Sequence, residues 1–306
     1  MDKIIIDTDI GIDDAIAVRY GMVTHDVLGV TCTYGNVPVE TAVKNCKLAM
    51  SKYGSDIPVL KGASRPLSRK PLPFSTHIHG KDGLGEYYTN NFDAEAPEAV
   101  HFIIEQARKF PKEVTLATIG PLTNLAIALN LCPDLPKLLK KVVCMGGAFG
   151  TDGNCGNMTQ FAEFNIYNDP EAADLVFASD LNLVIVPLDV THKVQVTDKE
   201  IASTNDDFLI NVSAFYIDFS KKYENFAGMI VHDAQTISYL LHPDKYKTID
   251  SRIAVSTSGY TDGQTIRPMT EYNVPDDKFK GRPKHTVCLD VDADFIRDAM
   301  LKAITK

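Results

Sequence analysis

The sequence predicts an α/β fold, an open and mostly parallel sheet flanked by helices with a Rossmann-like core, on three observations. Short runs rich in Ile and Val recur along the chain, turn residues follow each run, and each turn gives way to a segment of helical period. That rhythm belongs to parallel strands covered on both faces by crossover helices. Strands are expected at Lys3–Asp7, Val27–Thr33, Val114–Thr118, Lys141–Met145 and Leu183–Pro187, then at Arg252–Ser258 and His285–Val291. Helices are expected at Asp13–Thr24, Val39–Tyr53, Pro97–Lys109, Leu122–Leu131, Pro170–Ala178 and Phe208–Lys222, with Ala293–Ile304 closing the chain. No linker, repeat or low-complexity tract divides the 306 residues, so residues 1–306 are expected to form one domain. Two long loops interrupt the rhythm, Arg65–Phe92 and Ala148–Asn168, and loops of that length in a compact domain usually carry function.

Composition narrows the function. With 44% hydrophobic residues the chain can build a sizeable core. A formal charge of −9, from 31 Lys and Arg against 40 Asp and Glu, speaks against a nucleic-acid partner. No apolar stretch approaches the ~20 residues needed to span a bilayer, and no signal segment precedes the first strand. A cytoplasmic protein without a membrane partner is the expectation. The six cysteines, Cys32, Cys46, Cys132, Cys144, Cys155 and Cys288, show no metal-binding or disulfide spacing and read as reduced packing residues.

The expected strand ends carry polar and glycine-rich residues: Asp7 and Asp9, Tyr34-Gly35-Asn36, Thr118-Ile119-Gly120, Met145-Gly146-Gly147 and Asp189. Ligands of open α/β sheets bind at the carboxyl ends of the strands, so these loops are expected to converge on one crevice. The most pointed of them is Asp7-Thr8-Asp9-Ile10-Gly11-Ile12-Asp13-Asp14. Like charges ~4 Å apart repel by about 1 kcal/mol even in water and by more near a protein surface. Asp13 and Asp14 gain ~0.3–1 kcal/mol each at a helix N-terminus, which leaves Asp7 and Asp9, on the strand end, uncompensated. A hard divalent cation resolves the conflict, because calcium accepts six to eight oxygen ligands in flexible geometry. A solvated acidic cap is the alternative, and Ile10 and Ile12 are poor neighbours for it. The spacing of a helix-loop-helix calcium hand is absent.

This cluster resembles the N-terminal signature of the inosine-uridine-preferring nucleoside hydrolases, close to D-x-D-P-G-x-D-D-A, with Ile10 standing where the family often has proline. Further blocks match in family order: Gly35-Asn36, Ile78-His79-Gly80, Gly120-Pro121-Leu122-Thr123-Asn124-Leu125-Ala126, Met145-Gly146-Gly147-Ala148, Ala162-Glu163-Phe164-Asn165-Ile166 with Asn168-Asp169-Pro170, and Val231-His232-Asp233-Ala234. The resemblance implies hydrolysis of the N-glycosidic bond of purine or pyrimidine ribonucleosides to base and ribose. It implies calcium held by Asp9, Asp14, the main-chain carbonyl of Ile119 and Asp233, with Asp9 also the general base. Asp13 and Asn36 would hold ribose hydroxyls, Asn157, Glu163 and Asn165 the rest of the sugar, and His79 and His232 would face the base, His232 donating the proton. It also implies a homotetramer or homodimer.

The chain contains no Trp, so a base pocket made of stacked indoles is excluded. The segment Phe215–Ile230 is expected to line that pocket, with Tyr223 and Phe226 stacking or donating. Two rival readings stand beside this one. A haloacid dehalogenase-like phosphatase also opens on a strand and D-x-D, although Ile10-Gly11 and the second acidic pair fit it poorly. A non-catalytic nucleoside- or ribose-binding protein is the other, and the retained Asp9 argues against it.

Overall fold

The computed structural model describes residues 1–153, 155–223, 225–270 and 277–306, with the backbone alone at Asp152. Eight strands form the central sheet: β1 (Lys3–Thr8), β2 (Asp26–Cys32), β3 (Val59–Lys61), β4 (Val114–Thr118), β5 (Lys141–Met145), β6 (Leu183–Val186), β7 (Tyr246–Arg252) and β8 (Lys284–Val291). Their order is β3-β2-β1-β4-β5-β6-β8-β7, and every neighbouring pair is parallel except β8 with β7. The main helices are α1 (Ile12–Thr24), α2 (Val39–Lys52), α3 (Ala99–Lys109), α4 (Thr123–Leu131), α5 (Pro170–Phe177), α6 (Asp207–Tyr223), α7 (Ala234–Leu241) and α8 (Ala293–Ile304).

Side chains alternate across a strand, and the core divides accordingly. Ile4, Ile6, Ala117, Val143 and Val184 face a layer made by α1, α2, α6, α7 and α8, whereas Ile5, Leu116, Val142, Cys144 and Ile185 face α3, α4 and α5. Both faces of the sheet are therefore dry, which is why the strands read as continuous apolar runs. Travel along the sheet reverses between β1 and β4: the chain leaves β1 toward β2 and β3, then returns to the other side of β1. A crevice opens at such a switch point, and the loops after β1 and β4 are those bearing Asp9 and Ile119.

Three expectations need correction. The strand expected at Arg252–Ser258 lies earlier, at Tyr246–Arg252. Only Ala254–Val255 is extended beyond it, paired with Thr265–Ile266 outside the main sheet. β7 is an edge strand with a largely exposed, polar sequence, so it lacks the apolar run that marks the central strands. The strand β3 and the helix α7 were not anticipated. β3 is three residues long, and α7 buries Gln235, Thr236 and Ser238 among its apolar residues, which blurs its periodicity. No helix among the described residues is long and apolar enough to cross a membrane. Leu116, fully buried in β4, tests the layered core: Leu116→Ala should lower the unfolding free energy by about 2–5 kcal/mol in denaturant titration, and a loss below 1 kcal/mol would mean that this layer is loosely packed.

Candidate active site

The acidic cluster is folded back on itself by its own backbone. Thr8 Oγ1 accepts from Ile10 N at 3.0 Å and donates to Asp14 Oδ1 at 2.5 Å, while Gly11 N donates to Asp14 Oδ2 at 2.7 Å. These bonds start α1 and draw Asp14 beneath the loop, the side chain serving the end of its own helix. Asp9 Oδ2 accepts from Asn36 N at 2.6 Å. Two glycines make room for its carboxylate: a Cβ on Gly35 would stand 2.0 Å from Asp9 Oδ2 and one on Gly120 would stand 2.9 Å from Oδ1. Asp9 Oδ1 is buried without a hydrogen-bond partner. Asp7 turns away and supports the loop from behind, accepting from Thr31 Oγ1 at 2.5 Å and Asn124 Nδ2 at 2.8 Å.

Asp233, just before α7, completes the cluster. Asp13, Asp14 and Asp233 each offer an oxygen, all within 4.8 Å of one another; this group includes Asp13, which was expected to hold ribose, and leaves out Asp9, which was expected among the metal ligands. Ligand oxygens on opposite sides of one calcium are separated by about twice the 2.3–2.6 Å bond length, so this spread suits a single ion. Burial, reinforced by the neighbouring carboxylates, holds Asp9 and Asp233 well above the ordinary carboxylate range; burial raises Asp14 as well and pushes Asp13 to about 7. No Lys or Arg lines the adjoining cavity among the described residues. An all-oxygen donor set with an unpartnered buried oxygen and no cationic side chain is the chemistry of a hard divalent cation site, and the residues present fit one.

Above this floor lies a cavity of about 310 Å³. Asp13, Asn36, His79, Ile119, Asn157, Glu163, Asn165, His232 and Asp233 all line it, whereas Asp9 and Asp14 lie beneath. Asn36 Nδ2 donates to Asp14 Oδ2 at 3.2 Å, and Asn165 Nδ2 donates to the carbonyl of Ile119 at 3.1 Å, so both amides bridge floor and wall. Glu163 accepts from Asn165 N at 2.8 Å on one oxygen and from Gly147 N and Ile166 N, each at 3.0 Å, on the other. It thereby caps the short helix Phe164–Asn168 and clasps the turn at Gly147, whose φ of 86° suits glycine. Burial raises Glu163 to about 7. Asn157, more exposed, accepts from Phe164 N at 2.9 Å.

The opposite wall is aromatic. His79 Nδ1 accepts from Ile12 N at 3.0 Å; a backbone N–H only donates, so Nδ1 carries no proton and the neutral ring bears its proton on Nε2. His232 Nδ1 lies 2.8 Å from Thr191 Oγ1. Burial, with smaller contributions from neighbouring histidines, lowers both His79 and His232 to about 3. The stacking residues differ from expectation. Tyr223 is 65% exposed and Phe226 packs over Gly228, and neither lines the cavity. Phe219 and Tyr216 do, about one and two helical turns before Tyr223 on the inner face of α6, with ring centroids 5.9 Å from His77 and 6.1 Å from His79 respectively. Thr8, Thr191 and His192 were also missed. Thr191-His192 lies just after Asp189, in a strand-end loop that had drawn notice for its carboxylate alone.

A crevice at the switch point of a parallel sheet, floored by carboxylates and walled by amides and histidines, defines an α/β hydrolytic site for a small polar ligand. Comparison with known proteins specifies it. The family model described as inosine-uridine preferring nucleoside hydrolase matches residues 4–298. The chain is 34% identical to a pyrimidine-specific ribonucleoside hydrolase of Citrobacter koseri, covering 98% of this chain and 97% of the other. It is 33% identical to uridine nucleosidase 1 of Arabidopsis thaliana, covering 87% and 81%. Among solved structures, a purine-preferring ribonucleoside hydrolase from Gardnerella vaginalis superposes with a TM-score of 0.89 at 30% identity, over 99% of this chain and 98% of that one. A plant nucleoside hydrolase superposes with a TM-score of 0.93 at 29% identity, over 99% of each. The chain belongs to the inosine-uridine preferring nucleoside hydrolase family and is an enzyme that hydrolyses the N-glycosidic bond of ribonucleosides. The phosphatase reading falls with that result.

The carboxylates make metal-free stability depend on pH. Their folded-state values lie above the ordinary 3.8 and 4.5, so the folded chain holds protons more tightly than the unfolded one. The stabilisation is full below about pH 4 and is lost as pH rises through about 7. In chelator, the melting temperature should fall between about pH 5 and about pH 8, and added calcium should raise it more at the higher pH, where it competes with fewer protons. A flat metal-free profile, or an equal calcium effect at both pH values, would show that the cluster does not carry this charge.

Proposed function

We propose that the enzyme cleaves ribonucleosides with a water activated by Asp9 over a calcium held by Asp9, Asp14, the Ile119 carbonyl and Asp233. The observation that carries this reading is the buried, unpartnered Oδ1 of Asp9 beneath a cavity that offers amides and carboxylates on one side and histidines on the other. Breaking the N-glycosidic bond builds positive charge on the ribosyl ring and negative charge on the base. Calcium held there would supply the charge that keeps the buried carboxylates ionised and would acidify water beside them. Asp9 then accepts the proton of the attacking water.

The position of Asp13 on the cavity side of the cluster supports assigning it, with Asn36, to ribose hydroxyls. Asn157, Glu163 and Asn165 take the remaining sugar contacts, which position the ring so that binding energy away from the bond serves the reaction. His79 and His232 meet the base. His232 is neutral before reaction, so its Nε2–H serves the leaving group as a hydrogen-bond donor, a bond that strengthens as negative charge grows on the departing base; giving up that proton from the neutral ring would leave an imidazolate, so full transfer requires the ring to be protonated first. The six free cysteines, five of them buried, are consistent with the reducing cytoplasm.

Ribose release from inosine, adenosine, guanosine, uridine and cytidine, with and without chelator, tests the reading directly. Activity should be lost on calcium removal and return with calcium; full activity after thorough removal would sink the metal assignment. Asp9→Ala should lower kcat by roughly 10²–10⁴-fold with an unchanged circular dichroism spectrum, and near-wild-type turnover would mean that another group is the base.

A further inference from the structure

His232 occupies the short link between the strand Gly228–Ile230 and α7, outside any regular element. An imidazole there has no helix or strand to restrict its χ2, and a ring turned over presents carbon where a nitrogen is needed. Its restraint comes from the end of a neighbouring short helix, where the His192 ring also meets it edge-on with centroids 5.4 Å apart. Thr191 ends the helix Leu188–Thr191 and is fully buried, and its Oγ1 lies 2.8 Å from His232 Nδ1. The backbones are tied as well: Gln235 Nε2, also fully buried, donates to Thr191 O at 3.1 Å and to Val231 O at 3.2 Å. One amide thus fastens the segment bearing Thr191 to the residue preceding His232. Thr is β-branched and stiff at χ1, so its hydroxyl is a fixed point.

We infer that Thr191 is a positioning residue for leaving-group activation, its hydroxyl locking the His232 ring so that Nε2 is presented to the departing base. This rests on His232 as the group that donates a hydrogen bond to the departing base. Oγ1 occupies the Nδ1 edge, and Nε2 is the ring nitrogen with no protein partner among the described residues. A hydrogen bond weakens steeply once its angle falls below about 120°, so a ring free to swing donates poorly even though it remains in the cavity. The alternative is that Thr191 merely satisfies a half-buried histidine. The two differ in their dependence on the leaving group, because packing serves every substrate equally and a hydrogen bond from His232 serves only a leaving group that needs its charge stabilised.

The test uses the calcium-loaded enzyme with uridine, inosine and 4-nitrophenyl β-D-ribofuranoside, whose nitrophenolate departs without protonation. T191V should lower kcat on the two nucleosides roughly ten- to hundredfold, within the range for loss of general acid–base help. KM should stay within about threefold and nitrophenyl riboside turnover within about twofold of wild type, and T191S, which keeps the hydroxyl, should restore nucleoside turnover. Equal losses on all three substrates, or undiminished nucleoside turnover, would overturn the inference. T191A provides a second hydroxyl-free variant should T191V fold poorly. H232A, run in parallel, separates the two layers of the reading. A selective H232A with an unselective T191V removes Thr191 alone, whereas an H232A that loses all substrates equally removes His232 as donor and the inference with it.

Discussion

The carboxyl edge of the sheet is organised around the cost of holding Asp9, Asp13, Asp14 and Asp233 together out of water. Each desolvated charge costs several kcal/mol, and its neighbours repel it further. The chain offsets part of this with what lies closest: the N–H of Gly11 and the hydroxyl of Thr8 for Asp14, and the N–H of Asn36 for Asp9. The remainder stays uncompensated at Asp9 Oδ1. Such a site persists because the two apolar layers behind it are closed and dry, so the fold tolerates local strain that serves the reaction.

That constraint sorts the residues above the floor. Asn36 and Asn165 each spend an amide on the floor, one on Asp14 and one on the carbonyl of Ile119, and so hold the acidic floor and the cavity wall in register. Glu163 binds three backbone N–H groups, which ties the turn after β5 to the short helix at Phe164. On the far wall, burial keeps both histidines neutral, and each is oriented through Nδ1, His79 by a backbone N–H and His232 by a hydroxyl. The same low-dielectric interior therefore prepares acceptors at one end of the cavity and donors at the other.

Much of this was legible in the sequence. The buried strands announced themselves as apolar runs, and β4 and β5 lie at the residues expected. The carboxylates beside Ile10 and Ile12 were conspicuous because such neighbours make them costly, whereas Asp233 was legible only through the resemblance of its block to a family; the structure gathers Asp13, Asp14 and Asp233. Partnerships were less visible. That Asn165 would reach Ile119, or that Thr191 would meet His232, depends on contacts between residues more than forty positions apart, which no local pattern encodes. Tyr216 and Phe219 were passed over for Tyr223 and Phe226 because the rotational setting of α6, which decides the face it turns inward, is fixed by packing. β7 escaped notice because an edge strand half in water has no apolar signature.

The distance along the chain between Asp14 and Asp233 has a consequence for biogenesis. Three quarters of the polypeptide separates the first carboxylates of the cluster from the last. A chain emerging from the ribosome carries its acidic segment at the middle of a growing sheet long before Asp233 and α7 can pack beside it, and contacts of such separation form late. The carboxylates of the cluster therefore meet only in molecules whose architecture is finished, so the assembled cluster is itself a mark of completed folding.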